Sequence, residues 1–395
     1  MERREDFEIL KSNINGKPLI YLDNAATLQM PAPVMEKIVD VYKTCNGNVG
    51  RSIHQPGMRT GEEMEKARET IKNFINATST KEIIFTSGTT AGVDIISRVF
   101  TKQYLHPGDK VLISEMEHHS NMLPWERACK ESGAQLEIVP MDEQGDLDID
   151  AFGRMLTGEV KLVAITWVSN VTGTVNPIDM IVKKSHSVGA KVLIDGAQAM
   201  IHRRVDVQKT DCDFLVFSGH KMGSLTGTGV LYGKEELLEK FQPVVLGGGM
   251  IRQVPWQKSL YVDLPGRLEA GTPNYIGAIS LGAAVEYLNR ETPEERAAYT
   301  DWLVSFSLDV VENAGFTIMG YPRERSGIVS FFSPTINAYD IAKILDMHGI
   351  AVRSGTMCAQ RAVNHFGVES CVRVSPAFYN TEEEIETFKK ALMHT

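Results

Sequence analysis

Long apolar runs are missing from this 395-residue chain: no window approaches the roughly 18 consecutive apolar residues of a membrane span. The charged opening from Met1 to Glu8 also lacks the apolar core of a secretory signal, so a cytoplasmic location with no membrane partner is expected. Cysteine is scarce. Its five positions, Cys45, Cys129, Cys212, Cys358 and Cys371, are odd in number, widely spaced and without a CxxC pair, which supports neither a disulfide framework nor a zinc site. Free thiols and no metal are expected. No excess of proline or glycine is present either: 16 and 33 residues lie near the soluble average of about 12%, which rules out a disordered or fibrous chain. A basic excess is absent, since 41 Lys and Arg against 50 Asp and Glu give a formal charge of −9, with both signs interspersed. A nucleic-acid surface is disfavoured. What remains is a chain long enough for two domains, with small-molecule chemistry as the default.

Short apolar runs alternate with helix-like stretches between residues 80 and 232: Glu82 to Thr86, Lys110 to Ser114, Leu136 to Pro140, Lys161 to Thr166, Lys191 to Asp195, Asp213 to Ser218 and Gly229 to Gly233. Continuous Val, Ile and Leu runs of this length read as strands buried on both faces, which predicts an α/β fold with a mostly parallel sheet between helices. Ahead of them, Met64, Ala67, Ile71 and Phe74 form one helical stripe, with Thr60 and Glu63 at capping-box spacing, and the stripe is expected to dock on the sheet. A smaller α+β domain is predicted from Thr292, an N-cap followed by Pro293 and two acids. Its elements are a strand (Ile328 to Phe332), a helix (Tyr339 to Met347), a strand (Ile350 to Ser354) and a last helix capped by Thr381 with Glu384. The division expected is a large domain over 21–290 and a small one from 1–20 and 291–395.

Open α/β sheets bind ligands outside the carboxyl ends of their strands, and three such ends carry chemistry. After the Ile83 to Phe85 run, Thr86-Ser-Gly-Thr-Thr90 opens a helix, which makes an anion cradle or a plain capped turn. After Ile194 stands Asp195, a candidate for a ring-nitrogen partner, a helix cap or a metal ligand. After Phe217, Ser218-Gly-His-Lys221 places a lysine that either forms a Schiff base or faces solvent. The three together are what pyridoxal 5'-phosphate requires: a held phosphate, a ring kept protonated by a carboxylate, and an amine for its aldehyde.

Seven segments then carry a resemblance: Thr86 to Thr90, Met116 to Asn121, Val168 to Thr174, Ile194 to Gln198, Phe217 to Lys221, Glu269 to Asn274 and Val352 to Cys358. In order and over nearly the whole chain, they resemble the SufS-type, group II cysteine desulfurases of the class V aminotransferase superfamily. The resemblance implies fold type I of the pyridoxal-phosphate transferases, a homodimer and a persulfide mechanism. It assigns Lys221 to the Schiff base, Asp195 to the pyridinium nitrogen, and His118 to stacking on the ring and to catalysis. Asn170 and Gln198 fall near the phenolic oxygen and substrate carboxylate. Thr89, Thr90, Ser218 and His220 fall on the phosphate, with Thr272 reaching it from the other subunit.

Cys358 follows an apolar strand in a glycine-containing loop, where a nucleophile could be presented, although free cysteine is more often an inert core residue. The resemblance makes it the persulfide-forming nucleophile. Cys371 alternates with apolar neighbours and reads as packed. By the same resemblance Arg373 holds the substrate carboxylate, for which a guanidinium offers two parallel bonds, and Arg353 lies near it. The implied reaction takes L-cysteine to L-alanine and leaves sulfur on Cys358 for an acceptor protein, in iron–sulfur cluster assembly or related sulfur trafficking. A selenocysteine lyase acting on L-selenocysteine, another class V enzyme, and a quiet scaffold that binds a sulfur carrier are the alternatives. Two departures stand out: Thr356-Met357 and Gly50, before Arg51, replace histidines common in the family, which removes titratable groups near the nucleophile. The stretch from Gly247 to Pro265 resembles a segment that crosses to the neighbouring subunit, with an exposed hairpin as the other reading.

Overall fold

The structure, a computed structural model, describes residues 2–50, 52–257 and 259–395; Arg51 lies outside the described residues. All seven apolar runs become strands of one sheet, with ends shifted by no more than one residue: β1 (Ile83–Thr86), β2 (Lys110–Ser114), β3 (Gln135–Val139), β4 (Val160–Thr166), β5 (Lys191–Asp195), β6 (Phe214–Ser218) and β7 (Gly229–Gly233). Their order is β1-β7-β6-β5-β4-β2-β3. β7 runs antiparallel to both neighbours and the other pairings are parallel. The expected two-sided burial holds because side chains alternate across the pleat. Leu112, Val163, Ile165, Val192, Ile194, Leu215 and Phe217 enter one apolar cluster, while Val111, Ile113, Leu162, Ala164, Leu193, Phe214 and Val216 enter the other.

Helices cover both faces. Thr89–Gln103 packs so closely on the sheet that a Cβ on its Gly92 would meet Val216 Cγ1 at 2.7 Å. The helix carrying the Met64, Ala67, Ile71 and Phe74 stripe spans Gln55–Phe74. It starts earlier than the Thr60–Glu63 pattern predicts, because Pro56 sits in its first turn and the His54 ring accepts the Gly57 N–H at 3.1 Å. Thr60 is therefore interior, and its hydroxyl bonds back to the Pro56 carbonyl at 2.9 Å. The stripe docks on the sheet only in part. It packs chiefly on the helix Tyr275–Leu288, where a Cβ on Gly282 would meet that of Ala67 at 2.7 Å, while Ile71 and Phe74 reach the cluster under the sheet.

A second core joins Ile20 and Leu22 to Leu303, Val329, Phe331, Ile341, Val372, Val374, Ile385 and Phe388. The helices Pro293–Asn313 and Glu382–Leu392 begin at the predicted caps Thr292 and Thr381, each of which closes a full capping box, with Glu295 and Glu384. The strand read over Ile350 to Ser354 is two pieces: Ile350–Ala351 pairs in parallel with Ile20–Tyr21, and Arg353–Gly355 pairs antiparallel with Cys371–Val374. One chain segment thus bridges two sheets, which places Arg353 opposite Arg373. No helix among the described residues is long and apolar enough to cross a membrane, and no cluster of three or more His, Cys, Asp or Glu side chains could hold a metal.

Candidate active site

The carboxyl ends of β1, β2, β4, β5 and β6 meet at one edge of the sheet, where a cavity of about 220 Å³ opens. It brings together Thr89, Thr90, His118, Asn170, Asp195, Gln198, Ser218, His220, Lys221, Arg353, Cys358 and Arg373. Thr272 is outside it, exposed in the loop before the Tyr275–Leu288 helix.

Asp195 ends β5 with 3% exposure. Burial pushes its carboxyl up, and attraction to Lys221 and the Ala197 N–H, which it accepts at 2.9 Å, pulls it back. Lys221 sits in the single turn after β6, where burial lowers its amine to about 8 against the opposing pull of Asp195. An amine near that value is a usable nucleophile and base at neutral pH. His118 is driven down to about 3 by burial and by the Lys221 charge. Its Nδ1 accepts the Ser120 N–H at 3.1 Å, so the ring is neutral with its proton on Nε2. Behind it Glu117 is fully enclosed, accepting from Ser114, from the Thr166 N–H at 2.9 Å and from Asn121 at 2.7 Å. Burial pushes that carboxyl up to about 8.

The cradle forms where β1 turns into a helix. Gly88 has φ +141 and brings no side chain to cap the Thr89–Gln103 helix, whose first N–H groups have no intrahelical partner. The Thr89 N–H and hydroxyl both reach Ser218 Oγ at 2.8 Å, which joins the ends of β1 and β6. His220 adds a ring bonded to Thr27 at 3.3 Å. The chemistry of this donor set, with a buried carboxylate and a depressed lysine beside it, fits pyridoxal phosphate.

At the cavity's other side Arg373 is 3% exposed. Its Nη1 donates to the Asn170 carbonyl at 3.0 Å and its Nη2 to Asp23 Oδ1 at 3.1 Å, while Nε has no partner. An orphaned guanidinium N–H is what a substrate carboxylate would satisfy. Asp23 was not legible beforehand, since it meets Arg373 across 350 positions and lies in no charged pattern. The side-chain amides of Asn170 and Gln198 face the cavity but donate within the protein, to Met357 O at 2.7 Å and Ala25 O at 2.8 Å; each NH₂ keeps a second hydrogen. Met357 and Cys358 take φ +55 and +53, a left-handed pair rare for non-glycine residues. The His119 N–H holds the Cys358 carbonyl at 2.7 Å. Of the five cysteines Cys358 alone is exposed. Cys371 is buried, which pushes its thiol up to about 12.

Residues 20–388 match the Aminotransferase class-V family model. A cysteine desulfurase of Serratia proteamaculans is 41% identical over 384 residues, 97% of this chain and 95% of that protein. Another, from Synechococcus elongatus, is 42% identical over 390 residues, 98% of this chain, and the present chain spans 62% of its length. The apo structure of the cysteine desulfurase from Thermococcus onnurineus NA1 matches with a TM-score of 0.92 at 34% identity, covering 98% of this chain and 96% of that one. With a seven-stranded sheet, a lysine and a carboxylate meeting at its carboxyl edge, this chain belongs to the class-V aminotransferase family, among the pyridoxal-phosphate-dependent cysteine desulfurases.

Proposed function

We propose that the chain takes sulfur from L-cysteine as a group II desulfurase, yielding L-alanine and a persulfide on Cys358 that passes to an acceptor protein. The observation that carries this reading is the meeting of an exposed Cys358 with Lys221, Asp195 and Arg373 in one cavity. Pyridoxal phosphate, when bound, supplies an electron-accepting ring that acidifies the Cα proton of an attached amino acid. Thr89, Thr90, Ser218 and His220 would hold its phosphate, Asp195 its ring nitrogen, and neutral His118 would lie against its ring. Arg373 receives the substrate carboxylate, with Arg353 at the mouth. Lys221 accepts the Cα proton. Cys358 sulfur bonds to the substrate sulfur as the Cβ–S bond breaks, so that cysteine and one thiol become alanine and one persulfide with no external oxidant.

The reading extends to a cytoplasmic homodimer with a large domain over 21–290 and a small one from 1–20 and 291–395. The hairpin Ile251–Gln253 with Leu260–Tyr261 supports dimerisation, because Val254 and Trp256 at its tip are fully or largely exposed, and an apolar tip of this kind marks an interface. Thr272 would then serve the neighbour's phosphate site. The test is alanine and sulfide release from L-cysteine in wild type, Lys221→Ala, Cys358→Ala and Cys371→Ala. Loss of sulfide with retained cofactor absorbance in Cys358→Ala, loss of the lysine-bound absorbance in Lys221→Ala and normal turnover in Cys371→Ala are expected. Unchanged sulfide release by Cys358→Ala would remove that residue from the reaction.

A further inference from the structure

A separate cavity of about 300 Å³ lies where the amino-terminal segment meets the joint between the helices Tyr275–Leu288 and Pro293–Asn313. It shares no lining residue with the active site. Arg3, Arg290 and Arg296 line it beside two carboxylates, Asp6 and Glu291. Both carboxylates are already engaged. Glu291 pairs with Arg3, and Asp6 accepts the Tyr287 hydroxyl at 3.0 Å and lies 3.7 Å from Arg290.

Arg296 is left over. Only 2% exposed, it donates from Nε to the Ile201 carbonyl at 2.8 Å and from Nη1 to the carbonyls of Leu288 at 2.7 Å and Glu291 at 3.4 Å. Nη2 has no partner. Glu294, the carboxylate whose charge acts on it, is tied to Arg204 at 2.8 Å. Burial and the neighbouring Arg3 lower the guanidinium to about 10, which still leaves it cationic at neutral pH. A buried charge without a counter-ion is costly, and proteins ordinarily pair it. Here three cations face two anions, and the unmatched charge belongs to the most deeply buried of the three.

We propose that this cavity is a binding site for a small phosphate-type oxyanion, which accepts from Arg296 Nη2 and is flanked by Arg3 and Arg290. A guanidinium fork matches such oxygens geometrically. The ligand ties the amino-terminal segment to the helix joint, and it stabilises the folded chain by mass action. Its source is either free inorganic phosphate or the phosphate of an organic monoester.

The test is thermal unfolding of the holoenzyme, whose catalytic phosphate cradle is already filled. Millimolar inorganic phosphate and glycerol 3-phosphate are compared with chloride at equal ionic strength, in wild type, Arg296→Met and the Arg3→Gln/Arg290→Gln double variant. A rise in melting temperature with phosphate in wild type, reduced in the double variant and lost in Arg296→Met, is expected. A larger rise with the ester identifies an organic phosphate, and an equal rise identifies the free ion. Should Arg296→Met fail to fold, the double variant decides the matter. Equal shifts in wild type and double variant, or no shift beyond chloride, overturn the proposal.

Discussion

Asn170 donates its side-chain amide to the Met357 carbonyl at 2.7 Å, so a residue of the turn that follows β4 holds the loop that presents Cys358. Its own carbonyl accepts from Arg373 at 3.0 Å. One residue therefore ties the nucleophile's loop to the arginine placed for the substrate. The tie has strain to resist, because non-glycine residues in the left-handed region cost about 1–3 kcal/mol each, and Met357 and Cys358 both sit there.

Replacing Asn170 by Ala leaves that carbonyl unpaired, at about 1–3 kcal/mol, and frees the loop. Because a small misplacement of a reacting group can cost about 100-fold, single-turnover sulfide release is expected to fall by between about 10- and 100-fold. Alkylation of Cys358 by iodoacetamide, which needs no alignment, is expected to stay at the wild-type rate or exceed it. A proportionate fall in both would show that the thiol itself had lost reactivity and would overturn the positioning role of Asn170.

Asp23→Asn keeps an acceptor for Arg373 but removes the charge opposing it. KM for L-cysteine is expected to change several-fold with kcat held within about twofold, since the pair acts on carboxylate binding and not on the reacting atoms. Asp23→Ala leaves the buried guanidinium unpaired and is expected to cost about 3–5 kcal/mol in urea unfolding.

Glu269 grips Arg68 at 2.7 and 3.0 Å and accepts the Phe85 N–H at 2.6 Å. It thereby fixes β1 just ahead of the anion cradle. Glu269→Ala is expected to destabilise the protein by about 3–5 kcal/mol and to weaken cofactor retention on dialysis, and normal retention would detach this ion pair from the site.

The Lys221 amine titrates near 8 in the folded chain against an ordinary 10.5. Between those values the unfolded cofactor-free chain holds more protons, so stability rises with pH there. Below about pH 8 the folded form carries the full cost of a buried ammonium, roughly 3 kcal/mol by that shift. Urea unfolding of cofactor-free wild type minus Lys221→Met, between pH 7 and 10.5, is expected to show that rise. A flat difference would contradict the burial of the amine.

Much of this was legible from local pattern. The strand runs stood out because both faces of a covered sheet are apolar, and Asp195 and Lys221 stood out because they directly follow such runs. The Gln55–Phe74 helix starts earlier than its hydroxyl pattern predicts, because an imidazole cap at His54 imitates no hydroxyl signature. The 350–354 run predicts one strand, because nothing in it marks where a chain leaves one sheet for another. Arg296 carried no signal at all, since an arginine in a helix reads as solvent-facing until its neighbours are known.

The sequence alone determined the layered fold, the chemistry at three strand ends and the order in which those ends occur, because each is written in short local runs of residue types. Only the tertiary structure decided that Asp23 faces Arg373, that Asn170 holds the Cys358 loop, and that Arg296 lacks a counter-charge. Those pairings join positions far apart in the chain, and burial there sets the energy of every charge, a quantity that no local pattern encodes.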